Sequence, residues 1–241
     1  MKIINAGLMC LVACAVASPA SAQATWTNQG FVNANVGVQV GSQDFTVATP
    51  FEIYGEAGSV SSTMDVSGGG LFDVSGGYKV WRNLAVGLGY SFTRGSADAA
   101  VSASVPDPLL FDQPRQVSGT APDLDHQEQA LYLTGTWMVP VTEKVDVGLA
   151  FGPTIFFVKQ EVANGVDVTE PGPSLNRVNV GSIDETAVGI HLGVDVTYLV
   201  TPRIGVGGLA RYSWGAIDVE NASDDLKAGG FQIGAGVRIR F

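Results

Sequence analysis

Residues 231–241 read Phe-Gln-Ile-Gly-Ala-Gly-Val-Arg-Ile-Arg-Phe. Phe231, Ile233, Ala235, Val237, Ile239 and Phe241 fall on one face of an extended chain; Gln232, Gly234, Gly236, Arg238 and Arg240 fall on the other. A strict period of two is a strand period and excludes a helix. A strand with one wholly apolar face, a small and polar second face and a terminal aromatic suits the wall of a lipid-facing barrel. There the apolar face meets lipid and the polar face meets a packed lumen.

The composition agrees. The chain is 46% hydrophobic, only 15% charged, and holds 31 glycines among 241 residues. No apolar run after the N-terminal segment reaches the ~18 residues of a membrane helix. Short alternating strands carry an apolar signal that such a window misses. The net charge of −10 argues against nucleic acid as a partner, since phosphate binding needs a basic patch. It also argues against a basic surface docked on anionic lipid.

The N-terminus has the pattern of an export signal. Lys2 is followed by an apolar core, residues 3–17, and by Ala20-Ser21-Ala22 as a small-x-small cleavage site. The expected division is a signal peptide over 1–22, a short periplasmic leader over 23–28 and a barrel over 29–241. Leu11-Val12-Ala13-Cys14 offers a competing lipoprotein-type site, but the segment before Cys14 is very short. Both cysteines, Cys10 and Cys14, lie in the signal, so the processed chain would carry no disulfide, thiolate metal site or Cys nucleophile.

Eight strands are predicted, over about 30–41, 70–80, 84–93, 127–139, 145–158, 185–200, 204–214 and 231–241. Short connections near 81–83, 140–144 and 201–203 alternate with long ones, so the fold class is an all-β, eight-stranded antiparallel up-and-down transmembrane barrel. The even count and the alternation put the short turns in the periplasm and the long loops outside. The segment to about residue 67 is taken as a long first loop, too polar at 59–67 to face lipid. Whether 51–56 extends a strand is open. Residues 96–125, with four prolines and no regular period, are taken as a second loop and 160–182 as a third. Pro153 is expected to kink its strand or mark a bulge. Tyr78, Trp81, Trp137, Tyr198 and Phe241 gather at the periplasmic rim, and Phe72, Phe92, Phe157, Trp214 and Phe231 at the outer rim, as interfacial girdles do.

The inward face carries Asp73, Lys79, Asp146, His191, Asp195, Arg211, Arg238 and Arg240. Eight strands enclose a space that side chains can fill. Buried charges are costly unless paired, and both signs are present. A plugged lumen held by a structural polar network is therefore expected, against the alternative of a narrow polar channel. Asp146 is the first candidate partner for Arg238 and Arg240. No catalytic, cofactor-binding or metal-binding residue is predicted. His191 and Asp195 sit roughly 13 Å apart along one strand face, and no serine is placed beside His191 or His126. Gly205-Val206-Gly207 is strand alternation with no helix to cradle a phosphate. The loops are acidic, which suits a solvated surface or, alternatively, weak Ca²⁺ or Mg²⁺ binding between carboxylates and lipid phosphates.

The Ala20-Ser21-Ala22 signal, the Gly-Gly-Tyr-Lys-Val-Trp-Arg-Asn-Leu hairpin at 76–84 and the closing Gly-Val-Arg-Ile-Arg-Phe at 236–241 give the chain a resemblance. It resembles the small outer-membrane β-barrels of Gram-negative bacteria, the OmpA-like, OmpX-like and "porin family" eight-stranded proteins. The resemblance implies residence in the outer membrane, contact with its lipid and lipopolysaccharide, and handling by the barrel-assembly machinery, for which Phe241 looks like the recognised signal. It is poor for function, because the fold serves many roles. The expected role is structural or surface-interacting, as a monomer and without enzymatic activity. The alternatives are a narrow passage for small or hydrophobic solutes and, less favoured, a lipid-modifying enzyme.

Overall fold

The computed structural model describes residues 25–169, 174–217 and 226–241, with side chains at all of these except 42–45, 65–67 and 226. The signal segment 1–22, the site at Cys14, and the loop residues Glu170, Pro171, Pro173, Asp218, Glu220, Asp224 and Asp225 lie outside the described residues.

Ten antiparallel strands form: β1 (Gly30–Val40), β2 (Ser42–Ile53), β3 (Glu56–Ser67), β4 (Gly70–Trp81), β5 (Leu84–Val105), β6 (Arg115–Pro140), β7 (Val145–Thr169), β8 (Ser174–Leu199), β9 (Ile204–Ile217) and β10 (Leu226–Arg240). Eight of them close a ring, in the order β1-β4-β5-β6-β7-β8-β9-β10 and back to β1. The predicted eight-stranded barrel is thus the architecture found. Closure runs from Phe31 opposite Arg240 to Val40 opposite Phe231. Two inward glycines make that seam possible. A Cβ on Gly236 would strike the Ala34 carbonyl, and one on Gly37 the Ile233 carbonyl.

Within the ring the alternation is as read from sequence. Val32, Val36, Val38 and Val40 are exposed to the lipid side, and Asn33, Asn35 and Gln39 are buried. The girdles also emerge from register. Phe72 lies opposite Phe92 and Phe231 opposite Tyr212 at the outer level, while the Trp81 and Trp137 rings meet edge-on at 6.5 Å at the other end. Pro153 faces outward. The β6–β7 ladder omits Leu133 and Thr134 opposite Gly152 and Pro153, while the β7–β8 ladder pairs both residues, Gly152 with His191 and Pro153 with Ile190. A proline has no N–H to give, so one of its two ladders must lapse.

Three expected loops are corrected. The first is a hairpin, β2–β3, turning at Tyr54 and Gly55 with φ of 56° and 77°. This double left-handed pair is what a two-residue hairpin turn requires. Phe51 to Ile53 therefore end β2 and Glu56 begins β3. The hairpin is outside the ring and pairs through Ser59–Met64 with Ser104–Ala99 of β5. The second loop is mostly strand: β5 and β6 pair as far as Val105 opposite Arg115. The third shrinks likewise, with β7 and β8 paired to Thr169 opposite Ser174.

The cause is a polarity inversion along the strands. In the membrane β5 turns Leu84, Val86 and Leu88 outward and buries Ser91 and Thr93. Farther out, water replaces lipid on the outer side, and the inner face becomes apolar: Ala97, Ala99, Val101, Ala103 and Val105 are buried. Ala99, Val101, Ala103 and Val105 form a core above the membrane with Val60, Met64, Val162 and Val166, closed by β2 and β3. Each buried Val, Met or Phe contributes about 1.5–3 kcal/mol, which holds these extensions as folded sheet. A second, smaller cluster of Trp26, Phe31, Ala85 and Met138 sits at the opposite end, beside the short turns.

Candidate functional site in the barrel lumen

The inward side chains form layers. At the end with the short turns, Arg240 Nη1 donates to Asn33 Oδ1 at 2.9 Å and Nη2 to Thr197 Oγ1 at 2.5 Å. Its Nε lies 3.8 Å from Asp146 Oδ2. Arg238 grips Asp195 through two bonds, 3.0 Å from Nε and 2.6 Å from Nη2. Asp146 thus faces Arg240, while Arg238 takes Asp195. The reason is parity and height: Asp195 lies opposite Gly148, two residues farther from the turn than Asp146.

Trp26 lies buried at this end. Its indole Nε1–H donates to Asp146 at 3.3 Å, its backbone N–H to Asn83 Oδ1 at 3.0 Å, and its carbonyl accepts from Lys79 Nζ at 2.9 Å. Its ring meets Phe31 edge-on at 6.4 Å and is 1% exposed. The segment read as a leader therefore enters the barrel. The signal for it was present in the sequence: a lone large aromatic just before the first strand.

The middle layer holds His191. Its Nε2 bonds Thr134 Oγ1 at 3.2 Å and its Nδ1 bonds Thr154 Oγ1 at 3.0 Å. A cavity of about 50 Å³ lies here, lined in part by His191, Asp195, Arg211 and Arg240. Above it Arg211 crosses the lumen. Nη2 donates to Asp73 Oδ2 at 2.7 Å, Nε donates to Gln232 Oε1 at 2.8 Å, and the guanidinium lies 3.8 Å from the centre of the Tyr132 ring. Asp73 also accepts from Asn35, and Tyr132 bonds Ser91. Gln232 donates to Gln39 at 2.6 Å, which links this layer to Glu128 above it. Tyr132, Gln39, Gln232 and Glu128 are not among the eight predicted network residues, although their parity marks them as inward.

The eight predicted residues lie on the inward face: Arg211 pairs with Asp73, Arg238 with Asp195 and Arg240 with Asp146, while Lys79 donates to the Trp26 carbonyl and His191 sits between two threonines. His191 and Asp195 belong to different layers and share no bond. His126, beyond the outer girdle, bonds Gln160 at 2.7 Å; burial holds its imidazole below the ordinary value, opposed by that bond. Among the described residues no group of three or more His, Cys, Asp or Glu could hold a metal ion.

The model of the outer membrane protein beta-barrel domain matches residues 8–238. The chain belongs to this family. No curated protein matches it in sequence. Among solved structures it is similar to the Neisserial surface protein A, at 14% identity and a TM-score of 0.45, covering 88% of this chain and 97% of that one. It is similar also to the attachment invasion locus protein Ail of Yersinia pestis, at 12% identity and a TM-score of 0.39, covering 88% and 99%. OprG of Pseudomonas aeruginosa is 10% identical with a TM-score of 0.46, covering 91% and 98%. As a member of the outer membrane protein beta-barrel family, the protein resides in the bacterial outer membrane. Its short turns then face the periplasm and its long extensions the exterior.

Proposed function

We propose that this family member is a plugged barrel with a structural and surface-interacting role and no enzymatic activity. The carrying observation is the layer in which Arg211 spans from Asp73 to Gln232 over the face of Tyr132. Side chains from β4, β6, β9 and β10 meet there, in the middle of the lumen. Trp26 below and the apolar core above support the same reading. The extracellular half is folded sheet rather than free loop. The turn between β5 and β6 presents Leu109, Leu110 and Phe111 to solvent at 85%, 53% and 77% exposure, a surface suited to contact.

Planar-bilayer recording tests the closed lumen. The purified protein should give no steady unitary current; regular steps that scale with salt would instead favour the narrow-passage reading.

The proposed assembly role of Phe241 has a separate test. The Phe241 carbonyl accepts from Gln29 and Gly30 at 2.6 and 2.8 Å, and its N–H returns a bond to Gly30 at 3.1 Å, while the ring stays more than half exposed. The exposed ring contributes little packing and remains free to be read during assembly. Deleting Phe241 should cut the heat-modifiable, membrane-inserted fraction several-fold in cells. Refolding of the same variant into detergent should be nearly normal. Unaltered insertion in cells would remove the signal role.

A further inference from the structure

We infer that the outer rim of the barrel holds a binding site for an organic ammonium ion carrying an apolar chain, with Glu128 as its counter-ion. The first observation is a charge account. Asp73, Asp146 and Asp195 each lie within 4 Å of an arginine. Glu128 is 2% exposed and, among the described residues, faces no cation at that range. Its Oε2 accepts from the Gly229 N–H at 2.8 Å and from Gln39 Nε2 at 3.4 Å. Among the described residues its Oε1 has no partner, and neither has the hydroxyl of buried Ser213. A buried carboxylate with an idle oxygen is costly unless a cation or donor completes it.

The second observation is a pocket of about 310 Å³ at this place, which crosses the barrel wall. Its inner lining includes Gln39, Glu128 and Ser213, all buried; its outer lining includes Tyr212, Trp214 and Phe231, all exposed toward lipid. The wall is thin because β1 stops pairing with β10 at Val40 opposite Phe231, while β10 continues on β9 alone. Glycines 41, 68, 229 and 230 put no side chain in the gap. A ligand there meets a carboxylate inside and aromatic faces outside. An ammonium suits both, since it pairs with the acid and is attracted to indole and phenol rings. An anionic head would meet Glu128 as a like charge. His126 and Lys227 also line the pocket: burial holds His126 toward its neutral form, Lys227 is exposed with an interaction of its own, and among the described residues neither is ion-paired to Glu128.

Trp214 is a built-in reporter. The full chain, folded in uncharged maltoside micelles, would be titrated with decylammonium, decanol and decyl sulfate, and the Trp214→Phe protein subtracted. Decylammonium should saturate the Trp214 signal at least tenfold more tightly than the other two. Glu128→Gln should lose at least tenfold for decylammonium and leave decanol unchanged, with heat-modifiable migration showing that the variant is folded. On wild-type protein, chainless butylammonium should compete, which tests the head site without any mutation. Repetition in phosphatidylethanolamine nanodiscs separates the ligand's sources: an apparent affinity lowered by the lipid marks its headgroup as an occupant, and an unchanged one marks soluble amines. Equal affinity for the three amphiphiles, undiminished binding to folded Glu128→Gln, or no competition by butylammonium would each overturn the site.

Discussion

Arg211→Ala is expected to lower the unfolding free energy by about 3–5 kcal/mol, the range for removing one partner of a buried ion pair. The pair is buried on both sides, with side-chain exposures of 6% for Arg211 and 1% for Asp73. Without the guanidinium, Asp73 keeps only the Asn35 bond, Gln232 loses a donor, and the Tyr132 face loses its stacked cation. The loss should be read as a shift of the guanidinium midpoint for barrels refolded in lipid vesicles. Most of it is the cost of an orphaned carboxylate, so adding Asp73→Asn to the variant should recover a large part. A loss below about 1 kcal/mol would mean that water solvates Asp73 freely. That result would sink the plugged lumen together with the ion pair, because a layer wet enough to screen this charge is open enough to pass solutes.

What was legible in the sequence follows from where the alternation keeps one phase. Between the girdles lipid bounds every strand, so apolar residues hold one parity from Leu84 to Phe92 and again from Ile233 to Phe241. Strand number, ring closure and the inward charges all follow from that parity. At the level of Arg94 to Ser96 on β5 the outer medium becomes water, and the apolar parity switches to Ala97, Ala99 and Val101. A window laid across that switch averages two opposite phases and finds none. The small side chains of Ala97 to Ala103 weaken the signal further. The β2–β3 hairpin was hidden for the same reason: its face with Val47, Val60 and Met64 is buried while its outer face meets solvent. The pairing inside the lumen was less legible, because parity gives the face and not the height. Asp146 was the first candidate partner for both Arg238 and Arg240, and only the β7–β8 register sets Asp195 at the level where Arg238 takes it.

The other large effect is expected from Trp26→Ala. Truncating a packed Trp costs about 3–5 kcal/mol where the site cannot collapse. Here the ring lies on Phe31 with Met138 and Ala85 beneath it, and the barrel wall is fixed by its ladders, so collapse is limited. Asp146 also loses its indole donor. The variant should unfold at lower guanidinium and yet stay electrically silent if the Tyr132–Arg211 layer is the proposed plug and closes the lumen independently. A single cysteine at Met138 separates this from general loosening. Met138 is 2% exposed beneath the indole, so a water-soluble thiol reagent should modify Met138→Cys slowly in the wild-type background and many-fold faster once Trp26 is alanine. Steady currents from Trp26→Ala alone would show that the periplasmic mouth is the only barrier, and the Tyr132–Arg211 layer would lose its role as the plug.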